Sequence, residues 1–133
     1  MPDNQKFTLA KYRLERARQT YLTSLDNLNN GKYMDANNRA YFSVYNSIRA
    51  VLALDGVDFK KHSGVISYFR EKYIKPKIFD SIYSNIIGKA SIIRNKSDYE
   101  DFYIATHEEA EEQVNNALLF YDAIAEYVNK FIN

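Results

Sequence analysis

Residues 35–54, DANNRAYFSVYNSIRAVLAL, decide the fold of this chain. Their apolar residues recur every three or four positions, which is the period of an α-helix with one buried face. The stripe consists of Ala40, Val44, Ile48 and Val51, and it is widened by Tyr41, Tyr45 and Leu52. A face this broad predicts a central helix with several neighbours, which ends at Asp55-Gly56.

Two segments beside this stretch carry the same periodicity. Residues 6–29 predict a long first helix that ends at Asn30-Gly31 in a left-handed cap. After a loop over residues 57–62, Ser63 is predicted to cap a short third helix that ends at Lys75-Pro76. The central helix therefore has a long neighbour before it and a short one after it.

The C-terminal half of the chain predicts two more helices. The fourth presents apolar residues from Phe79 to Ile93, contains Gly88 as a weak point, and precedes a polar stretch at residues 95–98. The last begins with Thr106 and Glu109, the spacing of a capping box, and its apolar residues then repeat with a period close to 3.5. Together these segments predict an all-α protein: an antiparallel helical bundle of four long helices plus one short helix, in a single domain over residues 1–133.

Composition excludes several alternatives. Glycine and proline number 4 and 2 among 133 residues, too few for the turns of a β-sandwich or barrel. The chain has no cysteine and only 2 histidines, so we expect no disulfide, no metal site and no cofactor. Phosphate-loop glycine motifs are missing from the sequence. The polar start and the lack of a long apolar run predict a soluble cytoplasmic protein without a membrane segment.

Charge is unevenly distributed along the chain. Residues 60–97 carry 9 basic and 2 acidic groups, whereas residues 98–133 carry 1 basic and 9 acidic groups. A basic block next to polar side chains suits a phosphate-bearing partner such as RNA or a nucleotide. An acidic helix packed against a basic one would give the same distribution, so both interpretations stay open.

Two polar clusters interrupt the apolar stripes. The first, at residues 37–45, contains Asn38 and Arg39, which could equally be a solvated edge of the helix. The second, at residues 94–99, contains Arg94 and Asp98 one helical turn apart, which could form no more than a surface ion pair. If the clusters bind a ligand, we expect Arg94 to lie in a cleft with Asn38, Arg39 and Tyr99.

The order and spacing of three motifs resemble the HEPN family of small helical-bundle proteins. They are Asn38-Arg39-Ala40-Tyr41-Phe42-Ser43-Val44-Tyr45, Lys61-His62-Ser63-Gly64-Val65-Ile66 and Arg94-Asn95-Lys96-Ser97-Asp98-Tyr99. The chain looks most like the stand-alone branch that is associated with nucleotidyltransferases. The resemblance implies an all-α homodimer that is often encoded with a minimal nucleotidyltransferase in a toxin–antitoxin or defence pair.

Many members of that family are metal-independent ribonucleases with an Arg-x(4–6)-His motif, but this sequence lacks the histidine after Arg94. Under the resemblance, Arg94 would stabilise the phosphate, Asp98 would orient Arg94 or a water, and Tyr99 or His62 would move the proton. Asn38, Arg39 and Lys96 would bind the substrate. Tyrosine has an ordinary pKa of roughly 10, which makes it a poor base at neutral pH.

A competing hypothesis is a catalytically silent dimeric interaction module. In some family pairs the nucleotidyltransferase modifies a tyrosine near the late motif, and here Tyr99 or Tyr103 would be the loosely matching residue. His62 and His107 also have structural interpretations, as a loop residue and a helix-end residue respectively. The excess of aromatic residues, with 12 tyrosines and 8 phenylalanines, favours a homodimer.

Overall fold

The computed structural model describes residues 3–132, so residues 1, 2 and 133 of the predicted domain lie outside the described residues. Within that range the chain forms five α-helices and no strand: α1 (Asp3–Asn29), α2 (Tyr33–Asp55), α3 (His62–Phe69), α4 (Ser81–Tyr99) and α5 (His107–Ile132). The predicted all-α bundle of four long helices and one short helix is confirmed. None of the described helices is both long enough and apolar enough to cross a membrane.

The helix α2 occupies the centre of the bundle, where it packs against α1, α3, α4 and α5. Its residues Ile48, Val51 and Leu52 are completely buried. Burying an aliphatic side chain of this size stabilises the fold by about 1.5–3 kcal/mol. The broad apolar face that the sequence predicted therefore contacts helices on several sides.

Glycines end the first two helices as predicted. Gly31 and Gly56 have φ values of 73° and 70°, the left-handed conformation that is costly for residues with a Cβ atom. The N–H of Gly56 donates to the carbonyl of Ala53, which satisfies one of the last free carbonyls of α2. Both helices start slightly earlier than predicted, at Asp3 and Tyr33.

The prediction that Ser63 caps the third helix is wrong. The helix α3 begins at His62, and Lys61 precedes it in an extended conformation without a side-chain cap. The preceding loop is instead folded by Asp58, whose Oδ1 accepts a 2.9 Å hydrogen bond from the N–H of Phe59. His62 is therefore the first residue of a helix and not a loop residue.

The third helix was predicted to continue to Lys75-Pro76, but its α-helical part ends at Phe69. After α3 the chain widens into a π-helical turn at Arg70–Ile74, in which the N–H of Lys75 donates to the carbonyl of Arg70 over 2.9 Å. Pro76 follows directly and has no N–H with which to continue the helix. The π-helical turn contains one residue more than an α-helical turn, and the α-helical period of the sequence did not predict it.

The helix α4 starts later and ends later than its apolar pattern indicated. Phe79 precedes the helix, and the side chain of Asp80 caps it by accepting a 2.9 Å bond from the N–H of Ile82. At the other end the helix continues through the polar stretch to Tyr99. Arg94 and Asp98 consequently lie one turn apart on the same helical face.

The capping box before α5 is half formed. The N–H of Glu109 donates to Thr106 Oγ1 over 3.1 Å, as predicted. The Glu109 carboxylate accepts instead from the hydroxyl of Tyr103 in the preceding loop. A side chain of the preceding loop, six positions away, has thus replaced the backbone partner of this carboxylate.

Candidate functional site

The two polar clusters meet on one side of the bundle, where the C-terminal part of α4 packs on the N-terminal part of α2. Asn38 Nδ2 donates to Asp98 Oδ2 over 2.9 Å, and Arg94 Nε lies 2.9 Å from the same oxygen. Arg39 donates from Nε and Nη2 to Asn38 Oδ1 over 2.9 and 2.7 Å. The structure therefore brings Asn38, Arg39, Arg94 and Asp98 into one cluster, here called the Arg94 cluster.

The guanidinium of Arg94 is sandwiched by aromatic rings. Its Cζ atom lies 5.2 Å from the ring centre of Tyr41, 5.0 Å from that of Phe42 and 5.6 Å from that of Tyr99. The side chains of Arg94 and Asp98 are 18% and 23% exposed, so the pair lies at the surface but is largely shielded from solvent. Aromatic faces attract a cation and also fix the plane of the guanidinium.

Part of the hydrogen-bonding capacity of Arg94 is available. Its Nε atom is close to Asp98 but lacks the alignment of a hydrogen bond, and its Nη1 atom makes only a long 3.4 Å contact with Asn95 Oδ1. A guanidinium carries several N–H donors in a planar fork that matches the oxygens of a phosphate. The held but incompletely bonded guanidinium of Arg94 is thus suited to bind an oxyanion.

His62 lies against the same aromatic residues as Arg94. Its ring centre is 5.8 Å from Tyr41 and 5.7 Å from Phe42, and it stacks on Tyr45 at 4.0 Å. Its Nδ1 atom is 2.9 Å from the hydroxyl of Tyr41. The fold therefore brings the imidazole of His62 to the same two rings that hold the guanidinium of Arg94.

The pKa of His62 is lowered from its ordinary value of 6.5, first by burial and then by the positive charges of Arg94 and Arg49. A lowered pKa keeps the imidazole neutral at pH 7, and only the neutral ring accepts a proton. If Nδ1–H donates to the Tyr41 oxygen, Nε2 is the nitrogen that is free to act as a base. The environment of His62 therefore favours the neutral ring, the form that can accept a proton, although the same positive charges make it a weaker base.

Tyr99 and Lys96 occupy the outer part of α4. Tyr99 contacts Arg94 with its ring and is 71% exposed. Lys96 is exposed and makes no ion pair or side-chain hydrogen bond within residues 3–132. The structure thus joins Tyr99 to the Arg94 cluster but gives Lys96 no bond to it.

Three residues that build the site belong to the predicted polar cluster at residues 37–45, but sequence reasoning gave them no role. Tyr41 and Phe42 hold both Arg94 and His62, and buried Asn37 ties α2 to α4 by donating to Ser97 Oγ over 3.1 Å. Tyr41 and Phe42 follow Asn38 by three and four positions, which is the spacing of neighbours on one helical face. That spacing is the signal that could have identified them.

The acidic helix α5 does not neutralise the basic block of residues 60–97. It packs mainly against α1 and α2, with few contacts to α4. Lys89–Glu112 and Arg94–Asp98 are the ion pairs that join the basic block to the acidic one within the described chain. Most of the basic side chains therefore face solvent, where they can attract an anionic partner.

The Arg94 cluster does not coincide with the depression formed by residues 31–35 and 103–105. Among residues 3–132, no three histidine, aspartate or glutamate side chains are placed to hold a metal ion. That depression has a volume of about 440 Å³ and contains none of the residues of the Arg94 cluster.

Comparison with known proteins adds a family match to this geometry. The model of the HEPN domain matches residues 10–127. The “Putative toxin MJ0605” of Methanocaldococcus jannaschii is 34% identical over 77% of this chain and 76% of its own length. A second protein of that organism, “Putative toxin MJ0142”, is 29% identical over 86% and 78%. A “UPF0332 protein” of Thermotoga maritima is 26% identical over 94% and 95%.

Proposed function

The chain belongs to the HEPN family, and we propose that it is a toxin-like protein that binds single-stranded RNA at the Arg94 cluster and cleaves it without a metal ion. One observation supports this proposal above the others: His62 and Arg94 contact the same two rings, Tyr41 and Phe42. The toxin names of two relatives agree with it.

Arg94 is the proposed phosphate-binding group. Its guanidinium keeps unused donors while its plane is fixed by the surrounding rings. In a transesterification, negative charge builds up on the phosphate oxygens, and a positioned guanidinium stabilises that charge more than it stabilises the ground state. Asp98 and Asn38 act as positioning residues, because they hold the inner side of Arg94 through a shared oxygen.

His62 is the proposed base in place of the histidine that the late motif lacks. Nε2 would take the proton of a ribose 2′-hydroxyl, the 2′-oxygen would attack phosphorus, and the bond to the 5′-oxygen would break. The 5′-oxygen leaves with a proton from water, which yields a 2′,3′-cyclic phosphate and a 5′-hydroxyl. The mechanism requires that the Tyr41 oxygen, 2.9 Å from Nδ1, accepts from Nδ1–H, because this tautomer leaves Nε2 unprotonated.

The two histidines of the chain provide a matched test. His62→Ala should lower the rate of RNA cleavage by about 10²–10⁴-fold, the range for removal of a general base. His107→Ala should leave the rate unchanged, because His107 lies at the start of α5 against Tyr33. Cleavage of an end-labelled RNA in the presence of a chelator measures both rates.

A substrate analogue completes this test. An RNA with 2′-O-methyl groups should bind but remain intact, since the nucleophile is blocked. Equal loss of activity in the two histidine variants, or cleavage that stops when metal is removed, would contradict the proposed mechanism.

A second candidate function is a silent module that binds other proteins through the end of α4 and the loop after it. Tyr99, Phe102 and Ile104 are 71%, 100% and 82% exposed, which is unusual for side chains of this size. Of the two tyrosines that a partner nucleotidyltransferase could modify, Tyr99 is the more accessible, because the hydroxyl of Tyr103 is bonded to Glu109.

The same exposed side chains favour a homodimer. Light scattering of the wild-type chain should give twice the monomer mass of 15.6 kDa, and Phe102→Ser should shift it toward the monomer. Incubation with a minimal nucleotidyltransferase and a nucleoside triphosphate should label Tyr99 and not Tyr103. A wild-type chain that cuts no RNA and yet dimerises through Phe102 would favour the silent module.

A further inference from the structure

A second group of arginines lines a groove between α1 and α2. The groove has a volume of about 290 Å³, and its walls are Leu9, Tyr12, Arg13, Arg16, Asn46 and Arg49. It contains none of the residues of the Arg94 cluster. Three positive side chains on one groove without an acidic wall residue suit an anionic ligand.

The carboxylate of Asp58, which is not a wall residue of the groove, partly balances this charge. Asp58 Oδ2 lies 3.3 Å from an Nη2 atom of both Arg13 and Arg49. Two guanidinium groups that share one carboxylate leave an excess positive charge, and the exposed Arg16 adds to it without an ion pair in the described chain. The groove is therefore cationic even after Asp58 is counted.

The groove continues the face of α2 that carries the Arg94 cluster. Asn38, Phe42, Tyr45 and Arg49 follow one another at intervals of three or four residues, so they form one row along the helix. Arg49 and Arg94 both lower the pKa of His62, which lies against the middle of this row. The row from Asn38 to Arg49 is about 16 Å long at roughly 1.5 Å per residue.

We propose that this groove is a second phosphate-binding subsite, which takes the backbone of the same single-stranded RNA whose scissile phosphate lies at Arg94. The inference rests on the proposed function, since it assumes that RNA is the ligand. A strand along the row would place one phosphate at Arg94 and a phosphate several nucleotides away between Arg16 and Arg49.

Arg16 and Arg18 offer a matched pair of variants. Both are exposed arginines of α1, but Arg16 lines the groove, whereas the charge of Arg18 acts on Tyr121 of α5. The probes are a fluorescent 2′-O-methyl dodecamer, which is long enough to reach both subsites, and a dinucleotide of the same chemistry, which is not. Fluorescence anisotropy over a series of salt concentrations gives the affinity and its salt dependence.

Arg16→Ala should weaken dodecamer binding several-fold and reduce the slope of log K against log salt by about 0.7, the loss expected for one phosphate contact. It should not change dinucleotide binding, and Arg18→Ala should change neither. Arg94→Ala should weaken binding of both probes.

The failures of the two proposals can be told apart. If the wild-type chain binds the dodecamer through Arg94 but Arg16→Ala behaves like Arg18→Ala, the second subsite is overturned and the proposed function stands. If Arg16→Ala weakens the dinucleotide equally, the groove is not a distant subsite. If the wild-type chain binds neither probe, both proposals fail.

Discussion

Arg13 and Arg94 are both largely buried arginines beside an aspartate, but their guanidinium groups are held in different ways. Arg13 donates from Nη1 to the carbonyl of Arg49 over 3.0 Å and from Nη2 to Asp58 over 3.3 Å. Arg94 approaches Asp98 with its inner Nε atom, while its outer nitrogens have, among residues 3–132, only a long contact with Asn95. The outer donors are used by the protein in the first case and left for a ligand in the second.

This difference assigns Arg13 to the stability of the fold and Arg94 to the proposed function. Arg13 connects α1 to the end of α2 and to the loop that precedes His62, so its bonds hold the fold together. Arg94 is packed against rings of its neighbours, but its charge is directed to a surface next to His62. Two arginine–aspartate pairs in one bundle can thus be compared directly by substitution.

The largest expected effect is on catalysis. Arg94→Ala should reduce RNA cleavage by at least about 10²-fold, the usual cost of losing a group that stabilises charge in the transition state. Arg13→Ala should reduce it only several-fold, because Arg13 borders the groove but not the Arg94 cluster. Single-turnover cleavage rates at saturating enzyme measure the difference.

Arg94→Lys sharpens that result, because lysine keeps the charge but loses the planar fork. Its rate should lie between those of the wild type and Arg94→Ala. If Arg13→Ala is as inactive as Arg94→Ala while still folded, the contrast between the two arginines is wrong.

The next effect is on the free energy of unfolding, where Arg13→Ala should cost more than Arg94→Ala. Arg13→Ala should lower it by about 2 kcal/mol, because the side chain is 8% exposed and its loss leaves the Arg49 carbonyl without this donor. Arg94→Ala should lower it by about 1 kcal/mol, the scale of its lost contacts with the rings. Denaturant unfolding followed by circular dichroism tests this order, and a larger loss for Arg94→Ala would make Arg94 a structural residue.

The smallest effect is a shift in the pH dependence of kcat/KM for RNA cleavage. Burial, Arg94 and Arg49 lower the pKa of His62 below 6.5, so the acidic limb of kcat/KM should have its midpoint below pH 6.5. Arg49→Ala removes one of these causes and should move the midpoint to higher pH. Proton NMR titration of the His62 ring, assigned with His62→Ala, should give the same shift.

The sign of the stability effect follows from the same pKa. The unfolded chain binds a proton near pH 6.5 that the folded chain binds only at lower pH, so folding stability falls as the pH decreases through 6.5. A His62 midpoint above 6.5, or one that Arg49→Ala lowers, would contradict the electrostatic role given to the two arginines.

Local signals predicted the helices well and their ends unevenly. Gly31 and Gly56 ended α1 and α2 where expected, since a left-handed residue is a property of the chain itself. Ser63 was a wrong prediction, because the loop before α3 is fixed by Asp58 and not by a local cap. The Thr106 cap formed, but the Glu109 carboxylate accepts a hydrogen bond from Tyr103 in the preceding loop and not from the backbone at the start of the helix.

By itself, the sequence determined which segments are helical, that α2 is central, and that Arg94 and Asp98 lie one turn apart, because helical periodicity and spacing depend on neighbours within a few residues. Only the tertiary structure decided that His62 stands beside Tyr41, 21 positions away, and that Asn38 reaches Asp98 across 60 positions. Such contacts depend on how whole helices pack, and packing is set by the complete apolar surfaces of several segments at once, which no local pattern encodes.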